Sequence, residues 1–454
     1  MINLKARFEH GPLLRRWRRR PGYVQDVEIM MLRPDLNERL CRVGAGTPAG
    51  ELYRRYWLPV ATESEMVANP VKRVRLLGED LVLFRSVSGG FGLVAGRCPH
   101  RGASLGYGFP DGPGLRCPYH GWLFSADGEC LEQPNQVPDS SSLRSRSRIG
   151  GYPVRALGGL VFAYLGAAPA PALPLLDLFA LEEGPARFRD IGYTVIPCNW
   201  LQIMENSFDP THVEWLHGRL YNYQLERAGE EPTVLGGHHV KIGFDLVDYG
   251  IIKRRLREGQ TEDDEDWKVG HPVYFPNILK VGGHGLSSFQ IRVPMDDTHT
   301  LHFWYCWYDV PVEFASLVDQ VRRLPDTYEV TLRSADGSFL MNTIDSQDAM
   351  VWVSQGPLTS RDDEHLSSSD QGIALYRKLL RHQLEVSEAG GAVMNVRDAA
   401  TTHELVELPQ EKKELGIGGG GSNPVATFLR TQALYSRRLT ELSHRIDAAL
   451  QKAG

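Results

Sequence analysis

Cysteine is scarce in this chain, with six in 454 residues: Cys41, Cys98, Cys117, Cys130, Cys198 and Cys306. Only Cys98 and Cys117 sit in tight motifs, which excludes a disulfide scaffold and suits a reducing compartment. Long apolar runs are missing too. The most apolar stretch, residues 158–179, is broken by Pro169, Pro171 and Pro174 and carries Asp177, so it does not read as a bilayer span. Neither sign of charge is in excess. Lys and Arg number 50 against 56 Asp and Glu, a net charge of −6 that marks no nucleic-acid binder. No G-x-G-x-x-G follows a strand, and the glycine-rich stretch 416–422 carries no phosphate-loop lysine, so it reads as a flexible connector. The basic cluster Arg15, Arg16, Arg18, Arg19 and Arg20 precedes no apolar run, so no secretory or twin-arginine signal is read and a cytoplasmic location is expected. There is no internal repeat.

What is present suffices for two domains with cores of their own, at 42% hydrophobic content. Residues 1–55 read as an N-terminal extension, the first 29 loosely packed, followed by a helical segment around residues 52–57. Short β-type runs at 73–77, 81–86, 92–95, 121–124 and 160–165, with glycine-rich loops at 102–114, predict a small all-β domain over 56–166. The proline-rich stretch 167–174 reads as a linker. Residues 167–454 then form a larger domain. Its predicted sheet contains 279–281, 288–293 and 300–308, and its predicted helices lie at 200–217, 339–353, 375–386 and 424–451. The fold class expected is α+β.

Two motifs carry chemistry. Cys98-Pro99-His100 is followed, after 16 residues, by Cys117-Pro118-Tyr119-His120. Two thiolates and two imidazoles in this pattern suit a Rieske-type [2Fe–2S] cluster, with the cysteines on one iron and the histidines on the other. Structural zinc is the plainer alternative, but it favours C-x-x-C pairs with H-x3–5-H spacing. Gly102, Gly106, Gly108 and Gly121 let backbone N–H groups approach the cluster sulfurs.

The second motif is Asn206-x-x-Asp209-x-x-His212-x4-His217. Two histidines with a carboxylate on one face of a metal define the non-haem Fe(II) oxygenase site. On a straight α-helix, His212 and His217 would diverge by about 140°. Sharing a metal therefore requires a distorted helix between 209 and 217, and Pro210 makes a break there plausible. Ordinary helix histidines are the plainer reading, and iron chemistry upstream weighs against it.

Together the motifs Cys98-Pro-His100-Arg-Gly and Cys117-Pro-Tyr-His120-Gly-Trp, with the 206–217 segment, resemble the Rieske non-haem iron aromatic-ring-hydroxylating oxygenases. The phthalate-dioxygenase-like branch fits the opening Leu40-to-Pro59 segment and the later Gln347-Asp348-Ala349, Ser354-Gln-Gly-Pro357, Arg361 and Glu364-His-Leu366 pieces. The resemblance covers roughly residues 30–390. It implies a small Rieske domain beside a larger, helix-flanked antiparallel-sheet catalytic domain of START type. It also implies Cys98, His100, Cys117 and His120 as cluster ligands, and His212, His217 and a distant aspartate as iron ligands. Asp348 matches that aspartate, with Asp345 competing. Asp209 corresponds to a carboxylate that bridges an iron-ligating histidine to a Rieske histidine of a neighbouring subunit, and Asn206 is implied near the iron. Respiratory Rieske proteins carry a disulfide in these loops where this chain has Ala103 and Tyr119. That substitution implies a low potential, near about −150 mV.

The resemblance further implies an alpha-type oxygenase subunit. Electrons from NAD(P)H enter through a separate reductase, reach the cluster, and pass to Fe(II), where O2 oxidises an aromatic substrate. An aromatic carboxylic acid is expected, with (di)hydroxylation ahead of O- or N-demethylation, and a bare electron carrier as a remote alternative. Arg254, Arg255 and Arg292 are candidates to pair with a substrate carboxylate, though such arginines are more commonly surface charges. The assembly expected is a homotrimer or hexamer, without nucleic acid or membrane partners.

Overall fold

The computed structural model describes residues 32–134, 141–230, 232, 237–283, 285–399, 404–411 and 436–453. The first 31 residues of the N-terminal extension, and residues 412–435 with the 416–422 connector, lie outside them. The helix expected at 424–451 is described over Arg437–Ala453.

The N-terminal part is built from three small sheets. Strands Val71–Leu76, Glu79–Arg85, Phe91–Ala95 and Gly151–Tyr152 form one. Phe109–Asp111, Gly114–Arg116, Leu123–Phe124 and Cys130–Glu132 form the second, and Leu58–Thr62, Leu160–Ala163 and Val154–Leu157 the third. The short strands follow from apolar alternation broken by glycine turns. The expected helix at 52–57 lies earlier, at Pro48–Tyr53. Pro48 starts it, and the Thr47 hydroxyl accepts from Gly50 N–H at 3.2 Å.

The larger part is organised by one eight-stranded sheet. Its order is His239–Val247, Gly250–Arg257, His271–Tyr274, Ile278–Gly283, Leu286–Pro294, Thr300–Asp309, Arg187–Ile196 and Thr327–Glu329. All neighbours are antiparallel except the last pair. The hairpin 239–257 and the strand 187–196 carry many polar residues, which hid them from an apolar-run reading.

The register divides this sheet into two faces. Lys253 pairs with His271, Val273 with Leu279, Leu279 with Gln290, Gln290 with Trp304, and Arg292 with His302. Cross-strand partners and residues two apart share a face, so Lys253, His271, Gln290, Arg292, His302 and Trp304 all lie on one side. That side carries helices. Trp304 and Cys306 pack with Ala349, Trp352, Leu439 and Leu442, and His302 stacks on Trp352 with ring centroids 5.7 Å apart. The opposite side presents Phe289 and Tyr305 to Phe179, which in turn meets Phe162 of the N-terminal part. One continuous core thus joins the small sheets to the large one.

The expected helix 200–217 is interrupted. Trp200–Asn206 is α-helical, capped by the Asn199 side chain, which accepts from Leu201 N–H at 3.0 Å. The chain breaks at 207–211, then runs as a π-helix over Val213–Leu220 and an α-helix over Tyr221–Ala228. The helix expected at 339–353 begins later, at Ile344, where the Thr343 hydroxyl caps it, and runs to Ser354. The helix expected at 375–386 is longer, Gln371–Glu388.

Candidate active site

The two cysteine–histidine loops are built alike. Cys98 N–H donates to Ala103 C=O at 2.8 Å and Gly102 N–H to Cys98 C=O at 2.9 Å. In the second loop, Cys117 N–H donates to Trp122 C=O at 2.8 Å and Gly121 N–H to Cys117 C=O at 3.1 Å. Each loop closes on a left-handed glycine, Gly102 at φ +74° and Gly121 at φ +73°, a conformation that a side chain would strain. Arg116 braces the second loop by donating to Gly121 C=O at 2.5 Å.

Cys98 and Cys117 are buried in an apolar cluster with Leu105, Leu115, Trp122 and Phe124. Burial and the neighbouring Cys117 push the Cys98 thiol up to about 11. His100 and His120 are exposed, their ring centroids 4.5 Å apart, and His100 stacks on Trp122. Buried sulfurs on the inside and paired imidazoles at the rim form a donor set that fits a [2Fe–2S] cluster with one solvent-facing iron.

The second site lies where the π-helix meets the helix Ile344–Ser354. Backbone bonds in a π-helix run i to i+5, so residues five apart stack one turn above another. His212 and His217 are brought side by side, with ring centroids 5.2 Å apart. Asp348 Oδ1 lies 3.2 Å from His217 Nε2 and 3.8 Å from His212 Nε2. One ligand atom from each of the three residues falls within 4.8 Å of the others. Asp348 Oδ1 is buried and accepts no hydrogen bond. Such an orphaned carboxylate oxygen facing two imidazoles fits a bound cation, and the donor set is the facial triad of non-haem Fe(II).

The competition between Asp345 and Asp348 has an electrostatic outcome. Burial raises the pKa of both, but His217, His212 and Arg292 hold Asp348 below the usual carboxylate range. Burial and the neighbouring Asp348 push Asp345 up to about 7. Asp348 is therefore the ionised member of the pair.

Around the triad, Gln347 Oε1 lies 2.8 Å from His217 Nδ1, and Gln347 Nε2 donates to Met341 C=O at 2.7 Å. The amide is thus oriented to accept from Nδ1–H, leaving Nε2 to face Asp348. Asp209 accepts from Thr211 N–H at 2.8 Å and Thr211 Oγ1 at 2.7 Å, an Asx turn that starts the distorted helix beside Pro210. Its other oxygen is 3.7 Å from His212 Nδ1. Burial opposes ionisation of Asp209, yet His212 and Thr211 hold its pKa well below the usual range. Asn206 ends its helix and is tied to the site through its carbonyl, which accepts from Asp209 N–H at 3.1 Å.

Of the three candidate arginines, Arg254 is engaged with Asp245 and with backbone carbonyls, and Arg255 with Asp266. Arg292 is 1% exposed and donates to Gln290 C=O and Oε1 at 2.9 and 2.7 Å, while its Nε finds no partner. Sequence reading passed over Lys253. Two arginines, Arg254 and Arg255, follow it in the chain, and only the strand register and burial distinguish it from them.

Comparison with known proteins agrees with this geometry. A family model described as the Rieske [2Fe-2S] domain matches residues 56–153. The 5,5'-dehydrodivanillate O-demethylase oxygenase subunit of Sphingobium sp. (strain NBRC 103272 / SYK-6) is 39% identical, over 86% of this chain and 89% of its own. The phthalate 4,5-dioxygenase oxygenase subunit of Pseudomonas putida is 30% identical, over 82% of this chain and 90% of its own. Among solved structures, the terminal oxygenase of carbazole 1,9a-dioxygenase from Novosphingobium sp. KA1 shares the fold. Its TM-score is 0.52 at 22% identity, with 77% of this chain and 94% of that one covered. No helix among the described residues is long and apolar enough to cross a membrane. With its paired cysteine–histidine loops and its two-histidine, one-carboxylate cluster, the chain belongs to the Rieske non-haem iron oxygenases, as an oxygenase subunit of the phthalate-dioxygenase-like branch.

Proposed function

We propose that this subunit oxidises an aromatic carboxylic acid with O2, using electrons from NAD(P)H delivered by a separate reductase. The observation that carries the reading is the convergence of His212, His217 and the unpartnered Asp348 Oδ1 in a chain that also holds the two cysteine–histidine loops. Cys98, His100, Cys117 and His120 hold the cluster, and His212, His217 and Asp348 hold Fe(II). The iron supplies the site at which O2 is reduced beside the substrate.

The chain's own residues do the rest. Gln347 keeps His217 in one tautomer and orientation. Asp209, ionised and 3.7 Å from the unpartnered His212 Nδ1, is placed to take a hydrogen bond from it and so to offer electrons a bonded route. Asn206 anchors the turn that aims Asp209. The exposed histidine rim suits a neighbouring copy, whose Asp209 then reaches this cluster in a head-to-tail ring. A homotrimer or hexamer is the assembly expected, since one chain carries its two metal sites on different parts of the fold.

O-demethylation is the second reading, favoured by the relative that matches 86% of the chain. The test is turnover of vanillate, phthalate and 5,5'-dehydrodivanillate by the purified subunit with a reductase, scoring formaldehyde against hydroxylated product. About three irons per chain and the Rieske EPR signal are expected. Two irons and no product would leave an electron carrier, and zinc without iron would end the reading.

A further inference from the structure

Lys253 is 5% exposed, and among the described residues its Nζ has no hydrogen-bond acceptor. It projects from the strand Gly250–Arg257 on the sheet face that carries Arg292, His302 and the helices of the iron site. It is near enough to Asp209 and Asp348 to feel both charges. The cations around it are otherwise answered: Arg255 by Asp266, and Arg254 by Asp245. Arg292 keeps one buried N–H, at Nε, without a partner.

A divalent ion at the triad would balance the charges of Asp348 and Asp209, and Asp345, pushed up to about 7, is only partly ionised at neutral pH. Arg292 is then left as a buried cation with no counter-charge, beside Lys253, whose amine burial pushes down to about 7 and which an incoming anion would hold protonated. Burying an unanswered charge costs several kcal/mol, so a pocket of this kind is completed by an anion that arrives from outside. An acidic protein side chain in this position would have made the pocket neutral and left it selective for uncharged rings.

We propose that Lys253 is the specificity-determining residue that receives the carboxylate of the substrate, with the free Nε–H of Arg292 as the second arm. This rests on the aromatic-acid reading above. The carboxylate docks on the sheet face, and the ring is left to project toward His212, His217 and Asp348. Charge-assisted hydrogen bonds to a buried lysine distinguish an acid from its amide, because the amide leaves the ammonium unanswered.

The test is anaerobic calorimetric titration of the iron-loaded subunit with vanillate and phthalate and with the carboxamide of each. Wild type, Lys253→Met and Lys253→Arg are compared. Lys253→Met should weaken acid binding roughly 10- to 100-fold while changing amide binding less than about threefold. Lys253→Arg should restore most of the acid affinity. Two further readouts keep the proposal open to refutation if titration heats are small. Ligand-free Lys253→Met should melt no lower than wild type, because it removes an unanswered charge. Vanillate should raise the melting temperature of wild type and of Lys253→Arg, but not of Lys253→Met. Equal losses for acid and amide, or unchanged acid binding by Lys253→Met, would overturn the assignment of Lys253 alone. A wild type that binds amides as tightly as acids would overturn the aromatic-acid reading and Lys253 with it.

Discussion

Gln347 shows how much rests on a single side chain near the metal. Its amide holds His217 Nδ1 and is itself held by the Met341 carbonyl. Gln347→Leu should therefore lower ferrous affinity by roughly 10- to 100-fold, read by iron titration, while the Rieske EPR signal stays intact. Asp209 acts differently, since it lies 3.7 Å from His212 Nδ1, the ring atom remote from Asp348. Asp209→Ala should keep both irons loaded yet slow cluster re-oxidation in single turnover by roughly 10- to 100-fold. Equal loss of iron would make Asp209 a mere folding residue. Sequence reading picked out Asp209, His212 and His217 from their spacing, and reached Asp348 through resemblance alone. It had no means of choosing between Asp345 and Asp348 on physical grounds, because what separates them is burial and the charges facing them. Lys253 was equally hidden, since a lysine beside two arginines reads as a solvated basic strand.

At the level of elements, the distorted helix was legible because a five-residue histidine spacing contradicts an α-helix. The structure meets that requirement with the π-helix Val213–Leu220. Inserting one alanine after Trp215 should separate the histidines by a spacing that neither helix type aligns, and the mononuclear iron should be lost while the cluster remains. The helix before it is fixed by a network no sequence pattern announces. Glu205 binds Arg361 at 2.7 Å and Arg377 at 2.6 Å, and Arg361 also donates to Asn37 and Thr359. Removing one partner leaves an unanswered buried charge, so Arg361→Met should destabilise the fold by about 3–5 kcal/mol in denaturant titration. The network also sets an acid limit. Burial raises the pKa of Glu205, but Arg361 and Arg377 outweigh it and the folded value lies below 4.5. Its stabilising contribution is therefore complete above about pH 4.5 and fades as the pH falls through the folded value. In wild type the melting temperature should drop in that acid range, and in Glu205→Gln this part of the drop should be absent.

For the whole molecule, the two metal sites lie on different parts of one continuous core, and the exposed His100 and His120 face outward. The proposed electron delivery through a neighbouring copy predicts that activity follows assembly. Dilution that dissociates the oligomer should abolish turnover while leaving both metals bound, as read by sedimentation and iron content. A monomer turning over at the full rate would contradict the ring.

Local chemistry was enough to point to the candidate cluster ligands and to the two histidines of the second site. The ligand types, their spacing and the glycines that close each loop are short-range facts, written in consecutive residues. The α+β character followed from patterns almost as local. Folding over long sequence separations decided the remainder. It brought Asp348 to His212 and His217 across more than a hundred residues, set Glu205 against Arg361, and paired strands so that Lys253 and Arg292 share the face above the triad. Those outcomes depend on register, burial and the fields of distant charges, and such quantities come into being only when remote segments pack together.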